Sequence, residues 1–205
     1  MSWLANRRRG VGRSLPYDAE VEYLESVSGE NQYIDTGIKA SGNLVARIKV
    51  FDYFEDGVLN RGQWLFGGRN AYNQKSFGFF IDRATYTVNF AYGNNTLFYN
   101  SYQSYQNQDE IYIDGNGNIS IGEITHSYSM TNFVGGYNIY LFCLNNGGSI
   151  IGGPNKIGSV YISNGVDTID FIPVRKNGVG YYYDKVSGRL FGDVRGIGFR
   201  YGTDK

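Results

Sequence analysis

The sequence predicts an all-β protein: a two-sheet antiparallel sandwich preceded by an extended basic arm. Three observations carry that expectation. Nineteen Tyr, 13 Phe and 29 Gly stand against only 3 Pro; aromatic side chains suit pleated, half-buried surfaces and glycine suits turns. No window shows a convincing 3.6-residue apolar period, whereas alternating runs recur from Glu20 onward. About a dozen short strands in roughly 185 residues need two sheets, because one open sheet that wide leaves a face and two edges bare.

The 205 residues suit one domain large enough to bury about 70% of the surface its unfolded chain exposes. Cys143 is the single cysteine, so no internal disulfide and no cysteine-built zinc site is available, and folding in a reducing cytoplasm is expected. The net charge is zero, yet residues 1–16 hold four arginines and no acid, while residues 17–205 hold 15 Lys plus Arg against 19 Asp plus Glu. A +4 arm therefore precedes a −4 body. No apolar run is long enough to span a membrane, and the basic N-terminus lacks the apolar stretch of a secretory signal. Residues 1–18 read as the arm and residues 19–205 as the domain.

Within the domain, "NLVARIKVFDYF" places Leu44, Ala46, Ile48 and Val50 on one face and Arg47 and Lys49 on the other. "QWLFGGRN", "SFGFFID" and "YTVNFAYG" follow at hairpin spacing. In "DEIYIDGNGNISIGE", Ile111 and Ile113 precede a turn and Ile119 and Ile121 follow it, with Asp, Asn and Gly supplying residues that tolerate positive φ. "YNIYLFCLN" reads as one strand, and "NKIGSVYISNG" and "VDTIDFIPVRKNGVGYYYD" as the last long ones. Pro173 lacks an N–H, so its strand is expected to end there or to be an edge.

Two stretches, "EYLESVSGENQYIDTGIKASGN" with "WLFGGRN", and "KIGSVYISNGVDTIDFIPVRKNGVGYYYDKVSGRLFGD", resemble the concanavalin A-like, laminin-G-like jelly-roll domain of tailed-bacteriophage virion proteins and of gut-bacterial surface proteins. The resemblance spans most of residues 20–202. A short arm before a single domain is similar to the capsid auxiliary proteins of crAss-like phages. It implies a jelly-roll topology and a structural role in the virion, on the capsid surface, after synthesis in the host bacterial cytoplasm. It does not choose among functions, because this sandwich carries lectins, glycosidases and structural modules alike.

Chemistry-bearing residues are sparse. Glu20, Glu22 and Glu25 follow the E-x-E-x-x-E spacing of some jelly-roll glycosidases, but Glu25 shares a face with the other two only if a bulge shifts the phase. His126 is the only histidine and stands without a nucleophile motif. Asp114, Asn116 and Asn118 alternate as in oxygen-donor calcium loops, yet lack the bidentate acid, so a hairpin turn is the expected reading. Cys143, in an apolar run, reads as a buried small hydrophobe. No catalytic residue, metal or cofactor is expected.

Binding residues are easier to name. Trp3, Arg7, Arg8, Arg9 and Arg13 combine an apolar anchor with forked cations suited to carboxylates on the major capsid protein or another virion protein. Nucleic acid is not the expected partner, because the body is acidic and no base-reading fold accompanies the arm. The alternative function is a glycan-binding adhesin or fibre tip, with Tyr99, Tyr102, Tyr105 and Trp64 as stacking platforms for surface glycans.

Overall fold

The computed structural model describes residues 15–27, 31–51, 63–70, 74–82, 87–99 and 109–205, with the side chains of 82 and 95–99 excepted. The sequence-predicted arm residues Trp3, Arg7, Arg8, Arg9 and Arg13, and Tyr102 and Tyr105, lie outside the described residues. Among those described there is no helix. In chain order the strands are β1 (Ala19–Glu20), β2 (Leu24–Glu25), β3 (Ile34–Ser41), β4 (Val45–Phe51), β5 (Gln63–Gly68), β6 (Ser76–Asp82), β7 (Thr87–Gly93), β8 (Asn95–Tyr99) and β9 (Glu110–Asp114). They continue as β10 (Asn118–Ile121), β11 (Ile124–Ser127), β12 (Val134–Leu141), β13 (Cys143–Asn145), β14 (Ile150–Gly152), β15 (Lys156–Ser163), β16 (Thr168–Lys176), β17 (Val179–Asp184), β18 (Arg189–Phe191) and β19 (Arg200–Tyr201).

They form two sheets. The larger has 11 strands along the path β11-β10-β9-β4-β15-β16-β17-β18, with β1, β2 and β19 inserted beside it; the smaller has 8, along β14-β13-β5-β6-β7-β8 with β12 and β3. All pairings are antiparallel except that of β13 with β5. The all-β, two-sheet sandwich expected from composition and periodicity is what the chain forms.

Period-2 alternation decides which side chains meet between the sheets. On β4, Ala46, Ile48 and Val50 are buried while Arg47 is exposed. On the β9–β10 hairpin, Ile111 pairs with Ile121 and Ile113 with Ile119, all facing inward. From the smaller sheet, Phe66, Phe77, Phe79 and Phe90 supply the opposing layer, with Phe77 and Phe90 edge-to-face at 5.5 Å. Fully burying each such side chain contributes about 1.5–3 kcal/mol, so this layer dominates the stability. The β16–β17 hairpin closes through Asn177 (φ 51°) and Gly178 (φ 76°), the left-handed pair that a tight two-residue turn requires.

Two sequence expectations are corrected. Pro173 neither ends its strand nor lies on an edge, since β16 runs on to Lys176 and Pro173 pairs with Tyr182 of β17. On its other side β15 pairs with residues up to Phe171 and β1 begins at Val174. The missing N–H therefore falls where one neighbour gives way to the next, and the Pro173 carbonyl still accepts from the Val21 N–H at 3.0 Å. The run "YNIYLFCLN" is not one strand either. Phe142 adopts φ 70°, a left-handed conformation costing a bulky residue of order 1–3 kcal/mol. That kink turns its ring inward against Phe199, 4.6 Å away between centroids, and sends β13 off parallel to β5.

Bulges place residues that alternation misplaces. Between Trp64 and Phe66 the β5–β6 register shifts, so Leu65 and Phe66 both enter the core while Trp64 faces outward. In β15 the register with β4 shifts between Ile157 and Val160. The carbonyls of Ile157 and Gly158 there are met by the buried Tyr182 hydroxyl, at 2.9 and 2.8 Å. At the head of the same strand, the buried Asn155 side chain donates to the Trp64 carbonyl of the opposite sheet at 3.0 Å. Both polar groups are satisfied, as buried groups must be, and both tie β15 to its surroundings.

Asp184 ends β17 with its carboxylate turned into the chain. Burial raises its pKa, but hydrogen bonds from the Asp170 N–H, the Ser187 hydroxyl and the Val186 and Ser187 N–H groups outweigh burial and leave it below the ordinary value. A carboxylate depressed in the folded state adds stability above its unfolded pKa of about 3.9 and loses it as pH falls through the folded value. Urea unfolding is therefore expected to give a lower unfolding free energy at pH 3 than at pH 7, with a shallower pH dependence in Asp184→Asn. Identical pH profiles for the two proteins would remove Asp184 as a source of that dependence.

Both ends of the described chain close the larger sheet. β2 pairs with β15 and with β19, and Val21 bridges Asp204. Glu22 N–H donates to the Thr203 carbonyl, Gly202 N–H to Tyr23 and Lys205 N–H to Glu20, each at 3.0 Å. Arg175 grips Asp204 in a fork of 2.7 and 2.8 Å and lies 3.7 Å from Asp18. The first residues after the basic segment are thus fastened to the sheet.

Candidate functional site

Strand order brings distant residues into one row across the outer face of the larger sheet. Arg47 on β4 stands opposite Tyr112 on β9 and opposite Tyr161 on β15, and Tyr161 stands opposite Asp170 on β16. Side chains directly opposite on one face are within contact reach. Lys185, just past β17, completes the row with an ion pair to Asp170 at 2.7 Å.

A groove of about 510 Å³ opens on this row, lined by Arg47, Glu110, Ser159, Tyr161, Asp170 and Lys185 among others. The β15 bulge shapes it. Gly158 points to the outer face, where an added Cβ would meet the Phe51 ring at 2.9 Å and the Lys49 side chain at 3.3 Å. The bulge leaves Gly158 and Ser159 both on the outer side, so Ser159 joins Tyr161 in lining the groove while Ile157 and Val160 stay buried. Bulges recur beside functional sites because they re-aim a side chain in this way.

The groups in the groove differ in how far they are already engaged. Arg47 lies over the Tyr112 ring, 5.1 Å from its centroid, a stacking that holds the guanidinium plane and leaves its edge donors free. Among the described residues the Arg47 side chain makes no hydrogen bond or ion pair, and neither does the Glu110 carboxylate, the Ser159 hydroxyl or the Tyr161 hydroxyl. The Tyr161 ring pairs with no other ring among the described residues either. Arg175 is a contrast, its guanidinium taken by Asp204 and Asp18.

The residues singled out from sequence fare differently. Trp64 is only 7% exposed and packs with Ala91 and Leu144 in a second apolar cluster, tilted 4.7 Å from Phe80 with Arg69 over its face. The indole lies against Gly67 and Gly78, where an added Cβ would come within 3.0 Å of it. Both faces are occupied, so Trp64 is not an open stacking platform. Tyr99 belongs to β8, its side chain outside the described set. Val21 and Leu24 are both buried, so the phase does shift between them and Glu22 and Glu25 both lie off the core. No three His, Cys, Asp or Glu side chains form a metal-binding group among the described residues.

The turn at Asp114 is held by its own carboxylate. Oδ1 accepts from the N–H groups of Asn116 and Asn118, and Oδ2 from the Asn118 side chain at 2.8 Å. Those bonds outweigh burial and keep Asp114 below its ordinary pKa. His126 lies half-buried on β11, opposite Ile119. Cys143 is buried, which pushes its thiol well up and leaves it a poor nucleophile.

Sequence reasoning missed Ser159, Tyr161, Asp170 and Lys185. Alternation signals that they are off the core, but their convergence depends on β4 lying beside β15, which no local pattern announces. Compared with protein-family models, with curated proteins and with solved structures, the chain matches none.

Proposed function

We propose that the chain is a non-enzymatic structural protein of a bacteriophage virion, a capsid auxiliary or decoration protein held on the capsid lattice by its basic N-terminal segment. Its sandwich is, on this reading, a concanavalin A-like jelly roll that projects from the capsid surface. The carrying observation is the division of charge: residues 1–16 are +4 and residues 17–205 are −4. Trp3, Arg7, Arg8, Arg9 and Arg13 supply the anchor, their guanidinium groups meeting carboxylates of the major capsid protein in bidentate pairs. The tie from Asp18 to Arg175 and to the Asn177 N–H supports the reading, because a tether needs a firm root. Glycan binding at Tyr99, Tyr102, Tyr105 and Trp64 gains no such support, since Trp64 is enclosed.

Deleting residues 1–16 is expected to abolish incorporation into particles while the domain keeps its fold, as read by sedimentation with capsids and by circular dichroism. Truncated protein that still sediments with capsids sinks the proposal. The same segment offers a discriminating salt test. If it bound packaged DNA instead, affinity for duplex DNA would fall with a log–log slope of about −4 in salt.

A further inference from the structure

We propose that the groove on the outer face of the larger sheet is a binding site for a neutral saccharide. Its volume, about 510 Å³, falls within the roughly 300–1,000 Å³ typical of small-molecule sites. Two cations, Arg47 and Lys185, face two carboxylates, Glu110 and Asp170, so the lining charges cancel. An anionic ligand gains no net attraction there, and a hydrocarbon would strand the polar groups. A sugar matches both demands. Its vicinal hydroxyls donate to Glu110 and Asp170 and accept from the Arg47 fork, and its C–H face lies on the Tyr161 ring.

The groove is prepared for this in two ways. Arg47 is already oriented by the Tyr112 ring, so little freedom is lost when it grips hydroxyls. The bulge at Gly158–Ser159 adds a hydroxyl to the lining beside Tyr161. The side chains of Arg47, Glu110, Ser159 and Tyr161, without a hydrogen-bond or ion-pair partner among the described residues, are what a polyhydroxylated ligand completes.

The inference does not depend on the virion reading. A decoration protein with no saccharide affinity leaves that reading standing and removes this one. The test is an array of neutral and acidic oligosaccharides probed with the full chain, followed by calorimetric titration of the tightest neutral binder. Tyr161→Ala and Arg47→Ala are each expected to weaken that binder by about tenfold or more without a change in thermal midpoint. Ser159→Arg, which fills the groove from its floor, is expected to abolish binding and keeps the test open if Tyr161→Ala fails to fold. No saccharide bound, acidic glycans bound alone, or affinity indifferent to the folded variants overturns the proposal.

Discussion

Truncation after Gly198 is expected to abolish cooperative unfolding. Phe199 is 3% exposed and packed against the Phe142 ring, and removing a buried aromatic side chain costs about 3–5 kcal/mol. The deletion also takes away the Gly180–Phe199 bridge, the pairing of β19 with β2 and the bridge from Asp204 to Val21. Val21 and Leu24, both at 0% exposure, then lie beside an open edge. Domains of this kind hold only about 5–15 kcal/mol in total, so the summed loss is comparable with the whole. Removing only Asp204 and Lys205 is the control. It keeps Phe199 and β19 and loses only the Asp204 bridge to Val21, the Lys205 N–H bond to Glu20 and an exposed ion pair with Arg175, and exposed pairs contribute little. A sharp melt in the longer truncation at the midpoint of the intact chain would show that the terminal strands are ornamental.

Tyr182→Ala ranks next. The ring is fully buried, stacked 5.4 Å from Phe171, and its hydroxyl meets the Ile157 and Gly158 carbonyls. Losing the buried ring, with the cavity it leaves, costs about 3–5 kcal/mol, and two buried carbonyls lose their donor. Tyr182→Phe separates the contributions. It keeps the packing and removes only the hydroxyl, for about 1–3 kcal/mol. Urea denaturation of both variants reads the difference, and a Phe variant as unstable as the Ala variant would place the hydrogen bond above the packing. Because Tyr182 bonds the bulge that sets Ser159 into the groove, the Phe variant is also expected to weaken binding at the groove more than a substitution of equal cost elsewhere in the core.

Much of the sandwich was legible locally. The inward set Leu44, Ala46, Ile48 and Val50 and the hairpin of Ile111, Ile113, Ile119 and Ile121 follow from period 2 alone. Cys143 was placed correctly in the core by its apolar neighbours. The misreadings have one cause. Trp64 in "QWLFGG" looks like an alternating strand residue, but the extra residue in the bulge reverses the phase, and its cover comes from Phe80 of the next strand. Phe142 looks like mid-strand until its φ of 70° divides the run. Pro173 looks like a strand end because sequence does not show that its N–H side faces the junction of β15 with β1.

The candidate site divides in the same way. Alternation along β4 and β15 is enough to send Arg47 and Tyr161 outward, yet they are more than a hundred positions apart and adjacent only in the folded sheet. The amino-acid order by itself determined the fold class, the buried faces and the charge division between the first 16 residues and the rest, because periodicity and composition are local quantities. Only the tertiary structure decided which strands are neighbours, where the bulges fall and hence that Arg47, Ser159, Tyr161 and Asp170 line one groove. A side chain's face follows from its own strand, whereas its neighbour across the ladder follows from how the whole sheet is ordered.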